Sequence, residues 1–135
     1  ETWRLQKKAG FAYDASFGRR PHVGFPDGQY VPFVDDNTGM LIIPLALMEV
    51  YLFREAGYDL ERAWSMTRAL IDEAEKHQAV LTTLWHPHVY SDVEFPGFET
   101  LYRRLIAECS ARGARFRTCQ ELYEEYGPGN SSPAP

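Results

Sequence analysis

The sequence feature that most constrains the fold is an apolar stretch that ends in two histidines. Residues 80–85 are Val-Leu-Thr-Thr-Leu-Trp, with no charge among them, and His86, Pro87 and His88 follow. This composition is typical of a strand that is buried on both faces. A histidine at the carboxyl end of such a strand stands where α/β proteins place their chemistry. The stretch therefore predicts a buried strand that ends at a functional edge.

Helical and extended patterns alternate along the chain. We predict strands at 11–13, 41–48, 80–85 and 114–117, and helices at 1–9, 60–77, 98–112 and 118–126. Pro44 cannot donate to a sheet ladder, so the second strand is expected to lie at an edge or to carry a bulge or a break. The alternation favours an α/β fold with a mainly parallel sheet. The four predicted strands are about half the number in an eight-stranded (β/α) barrel.

The segments between these elements are rich in turn residues. Asp14–Ser16 is predicted to be a turn at a strand end, and 17–39 a long irregular loop. Four aromatic residues in that loop indicate that it is packed: Phe17, Phe25, Tyr30 and Phe33. Residues 127–135 carry no apolar anchor and are predicted to be a disordered tail. The folded domain is therefore expected to span 1–126.

Charge and composition exclude several classes of protein. The net charge of the 135 residues is −5 and the pI is near 5.3, which argues against nucleic-acid binding. No run of about 18 apolar residues predicts a membrane-spanning helix, so a soluble protein is expected, and the cytoplasm is favoured. Cys109 and Cys119 are expected to be reduced thiols rather than a disulfide. Residue 1 is Glu within a helical pattern, which suggests a fragment or a processed chain.

The two histidines after the apolar stretch allow three interpretations. On an extended backbone His86 and His88 share a face and could bind one metal ion, with Asp92 and Glu94 nearby in the loop. His86 alone could instead act as a general acid or base at a strand end. The third interpretation is a hydrogen-bonded histidine packed under a loop. Glu49 also follows a predicted strand, but the sequence assigns it no role.

Several segments occur in a recognisable order: Glu1-Thr-Trp3, Gly10-Phe-Ala-Tyr-Asp-Ala-Ser16, Gly24-Phe25, Pro32-Phe33, Ile43-Pro-Leu-Ala-Leu-Met-Glu49, Leu84-Trp-His86, Phe95-Pro-Gly-Phe98 and Leu101-Tyr102. Together they resemble the polysaccharide deacetylases of the NodB-homology family, and one bacterial branch in particular. The resemblance covers nearly everything before the tail. The most informative segment is Leu84-Trp85-His86, which is similar to the last motif of that family.

The resemblance implies a distorted (β/α) barrel of about seven strands, of which this chain supplies the C-terminal half. It implies removal of acetyl groups from N-acetyl sugars or acetylated glycans with one divalent metal, such as zinc. His86 matches the acid that protonates the leaving amine, Leu84 matches a residue of the acetyl pocket, and Trp85 lies beside it. The chain departs from the branch at position 26, where Pro stands in place of Arg, and His88 has no counterpart.

The family motifs that bind the metal would all precede Glu1, so the resemblance implies that this chain alone is inactive. His88 and Asp92 are then the remaining candidate metal ligands. An acetylated carbohydrate is the expected partner, rather than a nucleic acid or a membrane. The missing N-terminal half or a second copy of the chain could cover the open side of the sheet. A non-catalytic glycan-binding or self-assembling module is the alternative.

Overall fold

The computed structural model describes residues 1–130 and contains one mixed sheet with helices on both faces. The strands are β1 (Tyr13–Gly18), β2 (Phe33–Val34), β3 (Leu41–Met48) and β4 (Thr82–Leu84). The helices are α1 (Thr2–Lys8), α2 (Glu49–Glu55), α3 (Leu60–Lys76), α4 (Phe98–Ala111) and α5 (Cys119–Tyr126), with single 3₁₀ turns at Pro26–Gly28 and Pro87–Tyr90. The predicted mixture of helices and strands is confirmed.

The centre of the sheet is β3, which has a strand on each side. β1 pairs with β3 in parallel along one edge. Along the other edge, β2 pairs antiparallel with its first residues and β4 pairs in parallel with its last. The side chains of Leu41 through Leu47 are all buried, which is the pattern of a strand covered on both faces. The strand predicted at 41–48 is therefore confirmed with the same bounds.

A bulge beside Pro44 lets this residue occupy a central strand. Asp14 of β1 faces Ile42 and Phe17 faces Pro44, so two residues of β1 oppose one residue of β3. The predicted turn at Asp14–Ser16 is wrong, because these residues continue β1. The turn-type hydrogen bond still forms, since the Ser16 amide donates to Asp14 Oδ1 over 2.9 Å. A local contact that was expected to end the strand instead bends it.

The stretch at 80–85 forms a shorter and less buried strand than predicted. Only Thr82–Leu84 pair with β3, and Leu84 is 40% exposed. Burial on both faces is therefore a wrong prediction for this stretch. The physical reason is its position, because β3 takes the centre and no strand among residues 1–130 covers the other edge of β4.

The strand predicted at 114–117 is also wrong. These four residues are exposed coil, and the Phe116 side chain is 57% exposed. A strand needs a neighbour to satisfy its backbone hydrogen bonds, and within residues 1–130 this segment pairs with none. Conversely, β2 is a two-residue strand inside the predicted loop, where the sequence gives no extended pattern.

Helices α2, α3 and α4 cover one face of the sheet, and α5 covers the other. The helix predicted at 60–77 is confirmed as α3, and its buried residues form one apolar stripe: Ala63, Trp64, Thr67, Leu70, Ile71 and Ala74. Asp59 caps α3 by accepting from the Arg62 amide at 2.7 Å. Leu122 of α5 packs against Leu41 and Ile43 on the opposite face. Both faces of β3 thus contribute to the core.

The long loop before β3 is ordered by its aromatic residues, as predicted. Phe25 is buried, and the Tyr30 ring stacks on His77 with centroids 4.0 Å apart. The Tyr30 hydroxyl also donates to Glu73 of α3. These contacts fix the loop to the carboxyl-terminal end of α3.

At the C-terminus, Gly127 donates from its amide to the Tyr123 carbonyl. Residues 131–135, most of the predicted tail, lie outside the described residues. No helix within residues 1–130 is both long and apolar enough to cross a membrane. Cys109 and Cys119 are both free thiols, in agreement with the sequence-based expectation.

Candidate functional site

The candidate site lies where β3 and β4 end side by side. The two strands are parallel, and Met48 is the register partner of Leu84. The residues that follow, Glu49 and His86, are therefore delivered to the same edge of the sheet. This is the edge at which open α/β sheets place ligands. Glu49 is also the first residue of α2, so the helix fixes its backbone.

The two side chains form a carboxylate–imidazole pair. Nδ1 of His86 is hydrogen-bonded to Oε1 of Glu49. Because an ionised carboxylate can only accept, the ring nitrogen is the donor. The Glu49 side chain is completely buried, whereas that of His86 is 35% exposed. Because Nδ1 is engaged by the carboxylate, Nε2 is the ring nitrogen left to contact another molecule. A carboxylate on the inner side of an imidazole holds its tautomer and orientation and stabilises the imidazolium form.

The second oxygen of Glu49 is an unusual feature of this pair. Within residues 1–130, no group hydrogen-bonds to Oε2 of Glu49, although the atom is buried. A buried polar atom without a partner costs free energy, so native structures contain few of them. The bond to His86 is thus the only hydrogen bond that this buried carboxylate makes within the described residues.

Aromatic side chains cluster around Trp85, the residue before His86. The Trp85 ring lies 6.2 Å from Phe53 and 5.1 Å from Tyr102, between α2 and α4. Its Nε1 is buried without an acceptor among residues 1–130. Trp85, assigned to the substrate pocket by resemblance, is therefore half-buried in this aromatic cluster. Leu84, assigned to the same pocket, is 40% exposed beside the edge.

The loop after His86 is folded back on itself. The His88 ring lies 5.5 Å from the His86 ring and 5.5 Å from the Phe95 ring, and it is exposed. Asp92 accepts from the Gly97 amide over 3.2 Å and so closes the loop. The structure therefore brings His88 next to His86, while Asp92 has a structural contact of its own.

The same residues do not form a metal centre. Nowhere in the described part of the chain do three or more His, Cys, Asp or Glu side chains come together in a group that could hold a metal ion. His88 and Asp92 thus lack the further ligands that zinc or a similar ion requires. The divalent metal that the resemblance implies does not fit residues 1–130.

Glu49 is the residue of the candidate site that the sequence left without a role. The signal that could have identified it is the pair of apolar runs at 41–48 and 80–85. If both runs are parallel neighbours, the residues that follow them must meet at one edge. His22, an exposed residue of the long loop, also has a carboxylate partner, since its Nδ1 contacts Glu55 at the other end of α2.

Comparisons with known proteins leave this geometry to be interpreted by itself. No family model, curated protein or solved structure matches the chain.

Proposed function

We propose that this chain carries the proton-transfer side of a glycan deacetylase, with His86 as the general acid. The observation that carries the proposal is the hydrogen bond between His86 and the fully buried Glu49. This bond supports the role of a general acid, because Glu49 holds the ring through Nδ1 and leaves Nε2 free to meet a substrate. The resemblance of Leu84-Trp85-His86 to the last deacetylase motif supports the same role.

The chemistry assigned to the pair is proton delivery to a leaving amine. When the bond between the acetyl carbon and the sugar nitrogen breaks, the amine must gain a proton. In the proposed role His86 gives that proton from Nε2, and Glu49 keeps Nδ1 protonated throughout. Because Glu49 acts through His86, it is a positioning residue. The exposed side chain of Leu84, two positions before His86, would border the acetyl group.

The proposal divides the active site between two pieces of polypeptide. The resemblance implies a divalent metal that polarises the acetyl carbonyl and activates water. Residues 1–130 offer no group of ligands for it. The metal-binding motifs therefore belong, in this proposal, to polypeptide outside these 135 residues. In that arrangement the sheet of this chain is one part of a distorted (β/α) barrel.

The first test is acetate release from acetylated chito-oligosaccharides by this chain with added Zn²⁺ or Co²⁺. We expect no turnover, because the metal-binding motifs are absent. Clear turnover would contradict the division of the site.

The second test uses a polypeptide that also carries the metal-binding motifs of the family. There His86→Ala should lower kcat by about 100-fold or more, the usual contribution of a general acid. His22→Ala is the matched control, because His22 is also paired with a glutamate but lies at the other end of α2. Equal effects of the two substitutions would exclude a specific role for His86.

A glycan-binding role without catalysis is the alternative proposal, and one observation favours it. An open groove of about 470 Å³ is lined by Tyr90 and by five residues of α4: Tyr102, Arg103, Ile106, Ala107 and Ser110. Tyrosine rings offer flat apolar faces with a polar tip, which suits sugar rings. Calorimetric titration with chito-oligosaccharides would separate the two roles. Binding that is lost in Tyr90→Ala and retained in His86→Ala would favour the binding module.

A further inference from the structure

His88 lies beside the Glu49–His86 pair and has no part in either candidate function. Its ring centroid is 5.5 Å from that of His86, and the two ring planes are 51° apart. His88 is exposed to solvent. Among residues 1–130, the histidine rings that form hydrogen bonds are those of His22 and His86. The ring nitrogens of His88 are therefore available to a ligand that reaches His86.

The backbone between the two histidines is restrained by Pro87. A residue before proline is confined to extended conformations, and His86 has a φ of −77° and a ψ of 139°. Pro87 then opens the 3₁₀ turn, and the Val89 side chain of this turn is buried and anchors it in the core. The sequence His-Pro-His followed by a buried valine therefore fixes where the His88 backbone lies relative to His86.

The ring of His88 is also held by the loop that follows. Its centroid is 5.5 Å from that of Phe95 in an edge-to-face contact, and Phe95 packs on the buried Phe98 with centroids 5.4 Å apart. The Phe95 amide donates to the Ser91 carbonyl over 2.7 Å and so closes the loop. A side chain that binds a ligand loses rotamer freedom, and this packing lowers that cost before the ligand arrives.

We propose that His88 is a substrate-binding residue that donates a hydrogen bond to a sugar hydroxyl beside the acetamido group. This role rests on the proposed function, in which Nε2 of His86 meets the nitrogen of the acetamido group. Each hydrogen bond spans about 2.9 Å, so two imidazoles at the observed separation can contact polar groups on adjoining carbons of one sugar ring. In a glycan, one carbon adjoining the acetamido carbon carries the glycosidic bond, and the other carries the hydroxyl that we assign to His88.

An imidazole suits this contact in both of its protonation states. The neutral ring carries one N–H group and the charged ring carries two, so His88 can always donate to a hydroxyl oxygen. The two histidines then have different tasks, because His86 transfers the proton and His88 selects the sugar. The substrate class is narrowed to N-acetyl sugars in which the hydroxyl beside the acetamido group is free.

The test is an NMR titration of the whole chain with two ligands. One is the methyl glycoside of N-acetylglucosamine, and the other is the same glycoside without the hydroxyl beside the acetamido group. We expect the first to shift the ring resonances of both His86 and His88, and the deoxy glycoside to shift those of His86 alone. Loss of the hydroxyl should weaken binding about three- to tenfold, the contribution of one hydrogen bond.

Substitution of His88 should reproduce the effect of the missing hydroxyl. His88→Ala is expected to weaken binding of the first glycoside by the same factor and to leave binding of the deoxy glycoside unchanged, because both changes remove one bond. His22→Ala is the matched control, since His22 is exposed but pairs with Glu55 at the other end of α2. This variant should bind both glycosides like the parent chain, and circular dichroism verifies that each variant is folded.

Two results overturn the role of His88. In one, His88→Ala and removal of the hydroxyl weaken binding independently, so that their effects add. In the other, the His88 ring responds to neither glycoside. The proposed function is tested separately by the kcat of His86→Ala in a polypeptide that carries the metal-binding motifs. There His88→Ala should raise KM about three- to tenfold and leave kcat unchanged, whereas His86→Ala lowers kcat.

Discussion

Glu49 and His86 are 37 positions apart in the sequence and are hydrogen-bonded at the ends of two adjacent parallel strands. The glutamate is fully buried and the histidine is partly open to solvent. The pair therefore connects the interior of the domain to its surface through one imidazole ring. Most of what can be tested about the candidate site follows from this arrangement.

Removing the buried carboxylate should weaken the fold. Glu49→Ala eliminates the hydrogen bond to His86 and leaves a cavity at the start of α2, so we expect a loss of about 2–3 kcal/mol in the free energy of unfolding. Urea denaturation of the two proteins measures it. Glu55→Ala is the matched control, because Glu55 pairs with the exposed His22, and it should cost about 1 kcal/mol or less. Equal losses of unfolding free energy in the two variants would mean that burial does not increase the contribution of Glu49 to stability.

The tautomer of His86 is a second consequence. Because its Nδ1 donates to a carboxylate, the neutral ring should carry its proton on Nδ1. The ¹⁵N chemical shifts of the ring nitrogens distinguish this tautomer from the Nε2–H form. Glu49→Ala should shift the ring toward the Nε2–H form. A wild-type ring with its proton on Nε2 would contradict the hydrogen bond as described.

Gly97 should tolerate a side chain poorly, because this N-cap residue of α4 has a φ of +84° and a Cβ there would lie 2.5 Å from Leu60 Cδ1, so the leucine would have to move. Gly97→Ala is expected to cost about 2–3 kcal/mol from backbone strain and this clash. Gly113→Ala is the control, since its φ is +80° but a Cβ would meet nothing within 4 Å. It should cost only about 1 kcal/mol.

A double substitution separates the two contributions at Gly97. In a Leu60→Ala background the clash disappears, so Gly97→Ala should cost no more than Gly113→Ala. A penalty at Gly97 that persists in full without the leucine would assign the whole effect to the backbone.

The start of α5 should weaken in acid. The Thr118 amide and hydroxyl both donate to the Glu121 carboxylate, and these bonds hold its pKa below the ordinary value. A depressed pKa in the folded state contributes stability above the unfolded pKa, and this is lost as pH falls through the folded value. Glu121→Gln should therefore be less stable than the parent chain at neutral pH. The gap should close below the ordinary glutamate range.

Thermal unfolding at a series of pH values measures that gap. Glutamine can also complete a capping box, so the comparison isolates the charge of Glu121. A difference in stability that stays constant from neutral to acidic pH would show that the charge plays no part.

The elements that sequence patterns predicted well are those whose signals are local. The predicted helix at 60–77 repeats its apolar residues with a period of 3.6, and the predicted helix at 118–126 opens with a capping box of four residues, Thr118 to Glu121. Leu41–Met48 was identifiable because a run of apolar residues is long enough to be buried wherever it lies. None of these predictions required knowledge of a distant partner.

The errors concern elements that depend on neighbours. Residues 114–117 have an extended pattern, but no strand in the described part of the chain lies beside them, so they remain coil. Residues 80–85 have the composition of a central strand, but β3 occupies the centre. For the same reason the sequence located His86 at a strand end but not its carboxylate partner. Glu49 becomes its partner only through the register between β3 and β4.

Pro44 has a further consequence for how the sheet is assembled. The proline removes one backbone donor from the central strand, and the bulge in β1 is aligned with that gap. If β1 shifted by one residue, a backbone carbonyl of β1 would lie opposite Pro44 and would find no N–H group to accept from. The side chains of β1 would also move to the other face of the sheet. The proline therefore makes the neighbouring registers between β1 and β3 unfavourable. As the sheet forms, Pro44 in this way defines the position of β1 relative to the end of β3 that precedes Glu49.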